Sequence, residues 1–319
     1  MNSSIAVIIP CFRVKAHILN VLARMPQEVD AIYVIDDACP EGSGDWVTKK
    51  SSDARVKVIR HDRNLGVGGA VMTGYAAALQ DGAQVLVKVD GDGQMAPELI
   101  LKFTQPILMG QADYTKGNRF YDVSQLSQMP LIRLLGNAGL SFMAKLSTGY
   151  WNLFDTTNGF TALHAKVARR IAFEKISERY FFETDLLFRL ATVRAVVIDI
   201  PMDAAYGEEK SNLRIGEVLF EFFYKNLRNF VKRVMYNYFL RDMTVASLEL
   251  LFGTALLAFG VIFGVLHWAQ SISSGLVTPV GTVMLATLPT LLGIQFLLAF
   301  VAFDVANVPR RPIHVDLAD

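Results

Sequence analysis

The stretch VKVDGDGQM (residues 87–95) places two carboxylates, Asp90 and Asp92, directly after a run of apolar residues that begins at Val85. Such a short, β-branched run is typical of a strand that is covered on both faces. The glycines on either side of Asp92 then end the strand. Because like charges one residue apart repel each other, this pattern predicts that a positive group lies between the two carboxylates.

Strand patterns of this kind alternate with helical patterns over about the first 215 residues. They are IAVIIP (5–10), AIYVID (31–36), RVKVIR (55–60) and QVLVKVD (84–90). The alternation predicts an α/β fold, with a mostly parallel sheet and helices on both faces. Such sheets bind ligands at the carboxyl ends of their strands. Asp36 and Asp37 end the second strand and Asp90 ends the fourth, so these carboxylates are expected at the ligand-binding edge.

The composition narrows the class of protein. The formal net charge of the 319 residues is +1, which gives no reason to expect a nucleic acid as partner. Cys11 and Cys39 lack the spacing of a zinc or CxxC site, which favours free thiols in a reducing cytosol. The N-terminal residues MNSSIAVIIPCF have neither the basic segment nor the long apolar segment of a signal peptide.

Apolar residues make up 52% of the chain, and their excess lies after residue 215. Residues 215–242 mix aromatic and basic side chains at helical spacing, which predicts amphipathic helices in a membrane interface; a helix packed on the domain is the alternative. Two apolar runs follow, from about Ser247 and from Val280, and ~20 helical residues cross a ~30 Å hydrocarbon core. A buried helical hairpin of a soluble protein is the alternative interpretation of these runs.

Basic residues flank the two apolar runs, whereas the linker between them has no lysine or arginine. The positive-inside rule therefore predicts an integral protein of the inner or plasma membrane, with the N-terminal domain and both termini in the cytoplasm. The motif GVIFG (260–264) can pair helices, so a homo-oligomer is permitted. The expected segments are a domain (1–214), interfacial helices (215–243), a transmembrane hairpin (244–308) and a cytoplasmic tail (309–319).

Asp90, Asp92 and Gln94 offer oxygen ligands at alternate positions, and all-oxygen sites suit hard divalent cations such as magnesium or manganese. A calcium-binding EF-hand loop is excluded, because Met95 and Leu101 stand where that loop needs glycine and glutamate. A DxD pair also occurs by chance in solvated turns. Directly after a buried strand, it predicts a divalent ion that bridges the phosphates of a nucleotide.

The glycine-rich stretch NLGVGGAVMTG (64–74) is a second candidate site. It is not a P-loop, since no Gly-Lys-Ser/Thr follows. It is not a dinucleotide-binding motif, because Val71 stands where that motif needs a small residue. We expect the small residues of the following helix to pack on the sheet, and Asn64 and Gly66 to face a ligand.

These segments together resemble glycosyltransferase family 2. The similarity is greatest to the polyprenyl-phosphate hexose synthases, which include dolichol-phosphate mannose synthases and bacterial prenyl-phosphate glucosyltransferases. The motifs that carry the resemblance are, in order, IIPCFR, VIDDACPEGSGD, NLGVGGAVMTG, VDGDGQMAPEL, KGNRF, DTTNGF, FFETDLLFRL and YGEEKSNLR. The resemblance covers residues 5 to about 215, and the two C-terminal spans match the bacterial form. It implies a GT-A fold, the nucleotide-diphospho-sugar transferase fold.

The resemblance also implies a nucleotide pocket. Pro10 and Phe12 match positions that line the nucleoside pocket. Asp37 matches the aspartate that accepts a hydrogen bond from the base, with Asp36 beside it. Because a carboxylate accepts equally from the ring N–H of uracil or guanine, this contact does not identify the base. The residues that match the metal site are Asp90, Asp92 and Gln94.

On the acceptor side, Arg119 in KGNRF and Arg133 in PLIRLLGN match basic residues that receive the acceptor phosphate; a surface arginine is the alternative for Arg133. Asp155 in DTTNGF matches an acidic residue often proposed as a base. A phosphate acceptor with a second pKa of about 6 is largely dianionic at neutral pH and hardly needs a base. Asp155 is therefore expected to orient the sugar or to take a proton.

Two further motifs supply candidates for a substrate loop. FFETD contains Glu183 and Asp185. One of them is expected near the sugar, and for the other a salt bridge on the helix face is an equal alternative. Lys210 and Ser211 in YGEEKSNLR are expected on a loop that closes over the phosphates. The arginine and glycine that the family often has upstream of its Ser-Lys pair are absent here, which leaves the contacts of that loop open.

The expected activity is metal-dependent transfer of a hexose, with inversion, from a nucleotide sugar to a polyprenyl phosphate. The two-span form favours a UDP-hexose, with GDP-mannose as the alternative. A membrane-tethered family 2 enzyme that glycosylates a saccharide or glycolipid hydroxyl is the second hypothesis. A non-enzymatic nucleotide-binding module is the third, and the intact DGDGQ motif argues against it.

Overall fold

The structure is a computed structural model, and it describes residues 4–121, 131–202 and 215–317. The chain forms two compact units. The sheet unit comprises the residues up to Phe230 together with those from Pro309 onward, and the hairpin unit comprises Val231–Val308. The first division between them thus falls inside the segment 215–243, for which the sequence predicts interfacial helices.

The sheet unit contains a seven-stranded sheet with the strand order β3-β2-β1-β4-β6-β5-β7. Its strands are β1 (Ile5–Cys11), β2 (Ala31–Asp36), β3 (Val56–Arg60), β4 (Val85–Lys88), β5 (Tyr114–Asn118), β6 (Thr161–His164) and β7 (Val197–Pro201). Strand β6 pairs antiparallel with both β4 and β5, and the other pairs are parallel. The mostly parallel sheet predicted from the sequence is therefore confirmed.

Helices cover the sheet and continue beyond it. They are α1 (Ile18–Ala23), α2 (Ser43–Lys50), α3 (Gly66–Gln80), α4 (Ile100–Leu108), α5 (Leu131–Thr148), α6 (Ala165–Ala168), α7 (Phe182–Thr192), α8 (Ile215–Met235), α9 (Val245–Ser274) and α10 (Val280–Ala306). A short π-helix, Tyr236–Arg241, lies between α8 and α9.

The core of the sheet unit lies between the sheet and these helices. The strands β1, β2 and β4 are almost wholly buried, as expected for apolar parallel strands that are covered on both faces. Phe103 of α4 stacks on Phe160 with 4.0 Å between the ring centroids. A Cβ atom at Gly74 of α3 would overlap with the Ile8 side chain of β1. The small residues of the glycine-rich stretch thus let α3 pack closely on the sheet.

The strand directions bring distant segments to one edge of the sheet. Asp37 follows β2 and Asp90 follows β4, at the carboxyl ends of parallel strands. Strand β5 runs in the same direction as β4, because both pair antiparallel with β6, so Arg119 reaches the same edge. The start of β6 lies at that edge as well and brings the preceding residues 155–160 there. This edge is where the predicted site residues meet.

The chain that follows α10 returns to the opposite end of the sheet. The buried Asp113, just before β5, accepts hydrogen bonds from the backbone N–H of Ile313 (2.9 Å) and from the backbone N–H and Nδ1 of His314 (2.9 and 2.7 Å). The His314 ring stacks on His164, with 4.1 Å between the centroids. Lys166 Nζ donates to the carbonyl of Leu317 at 2.8 Å. The C-terminal segment is therefore an integral part of the sheet unit.

The hairpin unit is built around α9 and α10, which have 30 and 27 residues and mean hydropathies of 2.2 and 2.0 over their most apolar windows. At 1.5 Å per residue, both are long enough to cross a membrane. Only 11% of each window is buried, unlike the core helix of a soluble protein. Their apolar side chains are instead exposed, as lipid-facing side chains are.

Small residues bring the two long helices into close contact. A Cβ atom at Gly260 of α9 would overlap with Thr290 of α10, and one at Gly264 would lie 3.2 Å from Ala286. Within the described residues, the GVIFG motif therefore joins the two helices of one chain. At one end of the unit Arg233 forms a two-pronged ion pair with Asp304 (2.6 and 2.9 Å), and the Tyr238 hydroxyl donates to the same carboxylate.

Candidate active site

A cavity of about 160 Å³ opens at the carboxyl edge of the sheet. The predicted site residues that line it are Asp90, Asp92, Gln94, Arg119 and Glu183, joined by Asn158. They come from segments that are far apart in the chain. A larger, open depression of about 530 Å³ between α1 and α2 is lined by Lys15, Glu41 and Trp46 and contains none of the predicted residues. The smaller cavity is the candidate active site.

A lysine is one positive partner of the carboxylates in the DGDG sequence. The Nζ atom of Lys88, the last residue of β4, lies 2.7 Å from Asp90 Oδ1, and the Lys88 side chain is only 2% exposed. Asp92 Oδ1 accepts the backbone N–H of Gln94 at 2.9 Å, which fixes the turn after the strand. The metal that the sequence suggested as the positive group stays a prediction, and Lys88 was overlooked, although a lysine inside an apolar strand is a recognisable signal.

The donors in the cavity fit a hard divalent cation. Asp90, Asp92 and Gln94 line the same wall and together provide two carboxylates and an amide oxygen, the ligand types that magnesium and manganese prefer. In the part of the chain that the structure describes, no group of three or more His, Cys, Asp or Glu side chains is arranged to hold a metal. The predicted site has only two carboxylates, so it does not depend on such a group.

Arg119 is held in the cavity by Asp155. Its Nε and Nη2 donate to the two oxygens of the Asp155 carboxylate at 2.8 and 3.1 Å, and its backbone N–H donates at 3.2 Å. The Asp155 side chain is 1% exposed, whereas that of Arg119 is 34% exposed. Because Arg119 engages both carboxylate oxygens, this geometry favours an orienting role for Asp155 over proton abstraction.

Glu183 and Asp185 have different surroundings. Glu183 lines the cavity, and burial raises its pKa to about 7, against the opposing effect of the nearby ammonium groups of Lys88 and Lys116. Asp185 is buried and accepts hydrogen bonds from the Ser177 backbone N–H (2.9 Å) and from Asn229 Nδ2 (3.1 Å). The structure thus places one of the pair beside the candidate substrate site.

The other member of the pair serves the fold. Asp185 also lies 3.8 Å from Arg189, one helical turn further along α7. This is the helix-face ion pair that the sequence analysis expected for one of the two acidic residues of FFETD. Asp185 therefore connects α7 to neighbouring segments. Glu183 is left as the member of the pair that is expected near the sugar.

Lys116, in the KGNRF motif, is a second buried lysine that the sequence analysis did not single out. It is fully buried on β5 and donates a hydrogen bond to the carbonyl of Asn158. Burial lowers its pKa to about 8, although the carboxylates of Glu183 and Asp155 oppose this shift. Lys116 therefore supports the segment that carries Asp155 and Asn158 at the edge of the cavity.

Asp36 and Asp37 are both buried and bound by the protein itself. Asp36 accepts the backbone N–H groups of Cys39 and Gly44 at 2.8 and 2.7 Å, which stabilises the start of α2. Asp37 accepts a further set of hydrogen bonds. Its partners are the backbone N–H groups of Leu65 and Gly66 and the Nδ1 of His61, each at 2.8 Å. The contact of Asp37 with a nucleobase stays a prediction.

Two residues of the glycine-rich stretch, which were expected to face a ligand, contact the protein backbone. Gly66 has a positive φ of 87°, and a Cβ atom there would lie 2.7 Å from the carbonyl oxygen of Glu178. The Cβ side of Gly66 therefore packs against this backbone. The contact of Gly66 with a ligand, which the sequence suggested, stays a prediction. Asn64 is exposed, and its Nδ2 donates to the carbonyl of Asp37 at 3.3 Å.

The remaining candidates differ in what the structure shows of them. Pro10 lies near the carboxyl end of β1, and the Phe12 ring just beyond it is 40% exposed, with the Arg13 guanidinium 5.4 Å from its centre. Arg133 lies on α5, but its side chain is outside the described residues. The predicted loop residues Lys210 and Ser211 are outside them too.

Comparison with known proteins identifies the family. Residues 6–172 match the family model described as glycosyl transferase family 2. The chain is 29% identical over 245 residues to the UDP-N-acetylglucosamine–dolichyl-phosphate N-acetylglucosaminyltransferase of Methanococcus voltae, covering 70% of this chain and 94% of that protein. It is 31% identical over 194 residues to the undecaprenyl-phosphate mannosyltransferase of Micrococcus luteus, covering 59% and 79% of the two chains.

A solved structure shares the fold. Glucosyl-3-phosphoglycerate synthase from Mycobacterium tuberculosis, in complex with Mn²⁺, uridine diphosphate and glucosyl-3-phosphoglycerate, aligns with a TM-score of 0.54 at 15% identity, over 72% of this chain and 80% of that one. The family model spans just over half of the 319 residues. The chain therefore belongs to glycosyltransferase family 2, and its sheet unit has a GT-A-like α/β fold.

Proposed function

We propose that this protein transfers a hexose from a nucleotide sugar to the phosphate of a polyprenyl phosphate at a membrane surface. The observation that carries the proposal is the cavity in which Asp90, Asp92 and Gln94 meet Arg119, itself held by Asp155. A carboxylate-rich wall suits a metal-bound diphosphate, and a positioned guanidinium suits a second phosphate. The relatives named for polyprenyl or dolichyl phosphate support the same acceptor class.

The donor half of the cavity is the carboxylate wall. A divalent ion, magnesium or manganese, held by Asp90, Asp92 and Gln94 would neutralise negative charge on the departing nucleoside diphosphate. We assign the nucleoside to the adjoining edge near Pro10, Phe12 and the loop at Asn64. The two-span architecture favours a UDP-hexose as donor over GDP-mannose.

The acceptor half of the cavity is Arg119. One phosphate oxygen of the lipid attacks the anomeric carbon, and the bond from that carbon to the nucleoside diphosphate breaks, which inverts the configuration. A phosphate monoester with a second pKa of about 6 is mostly dianionic at pH 7 and has no proton to lose. Asp155 therefore positions Arg119, and Arg119 binds and orients the attacking phosphate.

The surface of α8 supports placement at a membrane. Its polar side chains Asn226 and Asn229 are buried against the sheet unit, where they contact Ser147 and Asp185. Its apolar side chains point outward at helical spacing and are exposed by 48–75%. They are Phe220, Phe223, Tyr224 and Leu227. A helix packed on a soluble domain has the opposite arrangement, so this apolar stripe fits a lipid interface.

The chain on either side of the hairpin unit supports the predicted topology. Helix α8 leads from the sheet unit into the hairpin unit, and the segment from Pro309 onward rejoins the sheet unit through Asp113 and His314. The chain before the hairpin unit and the chain after it therefore belong to one compact body, which supports a hairpin that enters and leaves the membrane on the same side. The basic flanks favour the cytoplasm as that side.

A second acceptor class has one observation in its favour. Transfer to a saccharide or glycolipid hydroxyl needs a general base, and Glu183 lines the cavity with its pKa raised by burial to about 7. A base with a pKa near the working pH is the most effective. A hydroxyl acceptor brings no negative charge for Arg119 to bind, whereas a phosphate acceptor does, so the phosphate acceptor is preferred.

The proposal is tested by incubating the full chain, in detergent or nanodiscs, with labelled UDP-glucose, UDP-N-acetylglucosamine and GDP-mannose. Each donor is paired with a polyprenyl phosphate or with the matching polyprenol, which lacks the phosphate. We expect lipid labelling by one donor with the phosphate acceptor only, and none with an Asp92→Asn control. Equal labelling of the polyprenol, or labelling of a saccharide alone, would contradict the proposal.

A further inference from the structure

Lys88 lies between two acidic groups of the candidate active site. Its Nζ atom is 2.7 Å from Asp90 Oδ1 and 4.0 Å from Glu183 Oε1, and both carboxyl groups line the cavity. The Phe182 ring closes another side, with its centre 5.5 Å from the ammonium group. A lysine ammonium that is withdrawn from water needs such charged partners, because its desolvation is costly.

The backbone opposite Lys88 leaves space for this ammonium group. A Cβ atom at Gly159 would overlap with Lys88 Nζ and would lie 3.0 Å from Asp90 Oδ2. A glycine at position 159 therefore allows the lysine to reach the carboxylate. The contact between Lys88 and Asp90 thus depends on two separate segments, the end of β4 and the chain before β6 that carries Gly159.

A divalent cation on Asp90 would compete with Lys88 for the negative charge of this one carboxylate. Two positive groups that share one carboxylate a few ångströms apart repel each other, and the repulsion is strong where water is excluded. Glu183 offers the second place for the ammonium group. The Nζ atom needs to move by only about 1 Å to come within hydrogen-bond distance of Glu183.

We propose that Lys88 is a built-in counter-ion that neutralises Asp90 before the metal binds and transfers its contact to Glu183 when the metal arrives. Lys88 is then a positioning residue that sets the affinity for the metal, and Glu183 is its acceptor. The exchange moves a charged side chain and breaks no covalent bond. This inference rests on the proposed function, because it takes Asp90 and Asp92 as metal ligands.

The test measures binding of Mn²⁺ alone to the full chain by electron paramagnetic resonance of the free ion, without any turnover. Lys88→Met and Lys88→Gln remove the competing charge, so we expect the dissociation constant for Mn²⁺ to fall on the order of tenfold. Lys88→Gln keeps a hydrogen-bond donor for Asp90 and serves if Lys88→Met fails to fold. The matched control is Lys57→Met on β3, whose lysine pairs with the exposed Asp81 and whose loss should leave Mn²⁺ binding unchanged.

A double-mutant cycle tests the transfer itself. Glu183→Gln removes the negative charge that would receive the displaced ammonium group, so it should weaken Mn²⁺ binding strongly in the wild type and much less in the Lys88→Gln background. Equal effects in both backgrounds would refute the transfer. Unchanged or weaker Mn²⁺ binding in both Lys88 variants would refute the competition.

Asp92→Asn separates this inference from the proposed function. If it abolishes Mn²⁺ binding while neither Lys88 variant binds more tightly, only the exchange is wrong. If it leaves Mn²⁺ binding unchanged, the metal site is misassigned, and the proposed transfer of Lys88 from Asp90 to Glu183 is refuted as well.

Discussion

Replacement of Asp155 by asparagine tests how the acceptor half of the site is held. The amide keeps the shape of the carboxylate but removes its charge and one of its acceptor oxygens. Arg119 donates to both oxygens, through Nε at 2.8 Å and Nη2 at 3.1 Å, so one of these bonds loses its partner. The guanidinium group is then no longer fixed in the cavity.

The expected loss follows from the bonds involved. A hydrogen bond to a charged group contributes roughly 1.5–3 kcal/mol. Loss of one such bond from the positioning of Arg119 corresponds to about a 10- to 150-fold slower transfer, since 1.4 kcal/mol is a factor of ten. Asp155→Asn leaves no buried charge without a partner, so its effect on folding should be small.

Arg119→Ala is the contrasting variant, because it leaves the buried Asp155 carboxylate without its cation. Breaking a fully buried pair costs about 3–5 kcal/mol, and the partial exposure of Arg119 should reduce this value. We therefore expect Arg119→Ala to lower both the melting temperature and the rate of transfer. The double variant should be no slower than Arg119→Ala, since the two residues act as a unit.

The assay compares steady-state transfer to polyprenyl phosphate with the affinity for the nucleoside diphosphate measured by calorimetry. Asp155→Asn should slow transfer and leave nucleotide affinity nearly unchanged. Transfer within about threefold of the wild type would refute the positioning role. A collapse of nucleotide affinity would instead assign Arg119 to the donor diphosphate. Loss of one limb of the pH–rate profile would show that Asp155 acts as a base.

Three further predictions concern other parts of the molecule. Asp92→Asn should abolish transfer without lowering the melting temperature in EDTA; transfer within about threefold of the wild type at saturating manganese would contradict the metal assignment. Burial alone would raise the pKa of Asp113, but hydrogen bonds from His314 and neighbouring backbone N–H groups hold this pKa below its usual value. The stability that the carboxylate provides is therefore present above about pH 4 and is lost as the pH falls further. His314→Ala should therefore lower the melting temperature at pH 7 and reduce its further fall on acidification, and an unchanged melting curve would show that the tail is not docked. Gly260→Val should destabilise the hairpin by overlap with Thr290, seen as a lower melting temperature in detergent, whereas Gly281→Val, a glycine with open space around it, should not.

The sequence predicted the parts of the fold that have a simple apolar pattern. Strands β1 to β4 are short β-branched runs, and the carboxylates at their ends lie at one edge, as predicted. Strand β5 was not predicted, because its residues Thr115, Lys116 and Asn118 are buried polar groups without an apolar pattern. The antiparallel strand β6 was not predicted from the sequence either, yet the chain that enters it brings Asp155 to the site.

The site residues that were missed depend on tertiary contacts. Lysine is almost never fully buried, so Lys88 was disregarded inside the strand pattern. Its second partner, Glu183, is 95 positions further along the chain, and only the folded structure brings the two within 4.0 Å. The same holds for Gly66, whose packing against Glu178 has no local sequence signal. The rule that strand ends carry ligands located Asp36 and Asp37 but gave no information about the backbone N–H groups that bind them.

The proposed function requires that the acceptor atom is a phosphate oxygen of a polyprenyl lipid. The most direct test is phosphorus nuclear magnetic resonance of the lipid before and after turnover with the active donor. We expect the phosphomonoester resonance to be replaced by that of a phosphodiester, in proportion to the sugar transferred, and to be unchanged with Asp92→Asn. A sugar-labelled product in which the phosphomonoester resonance persists would place the sugar on a hydroxyl and contradict the claim.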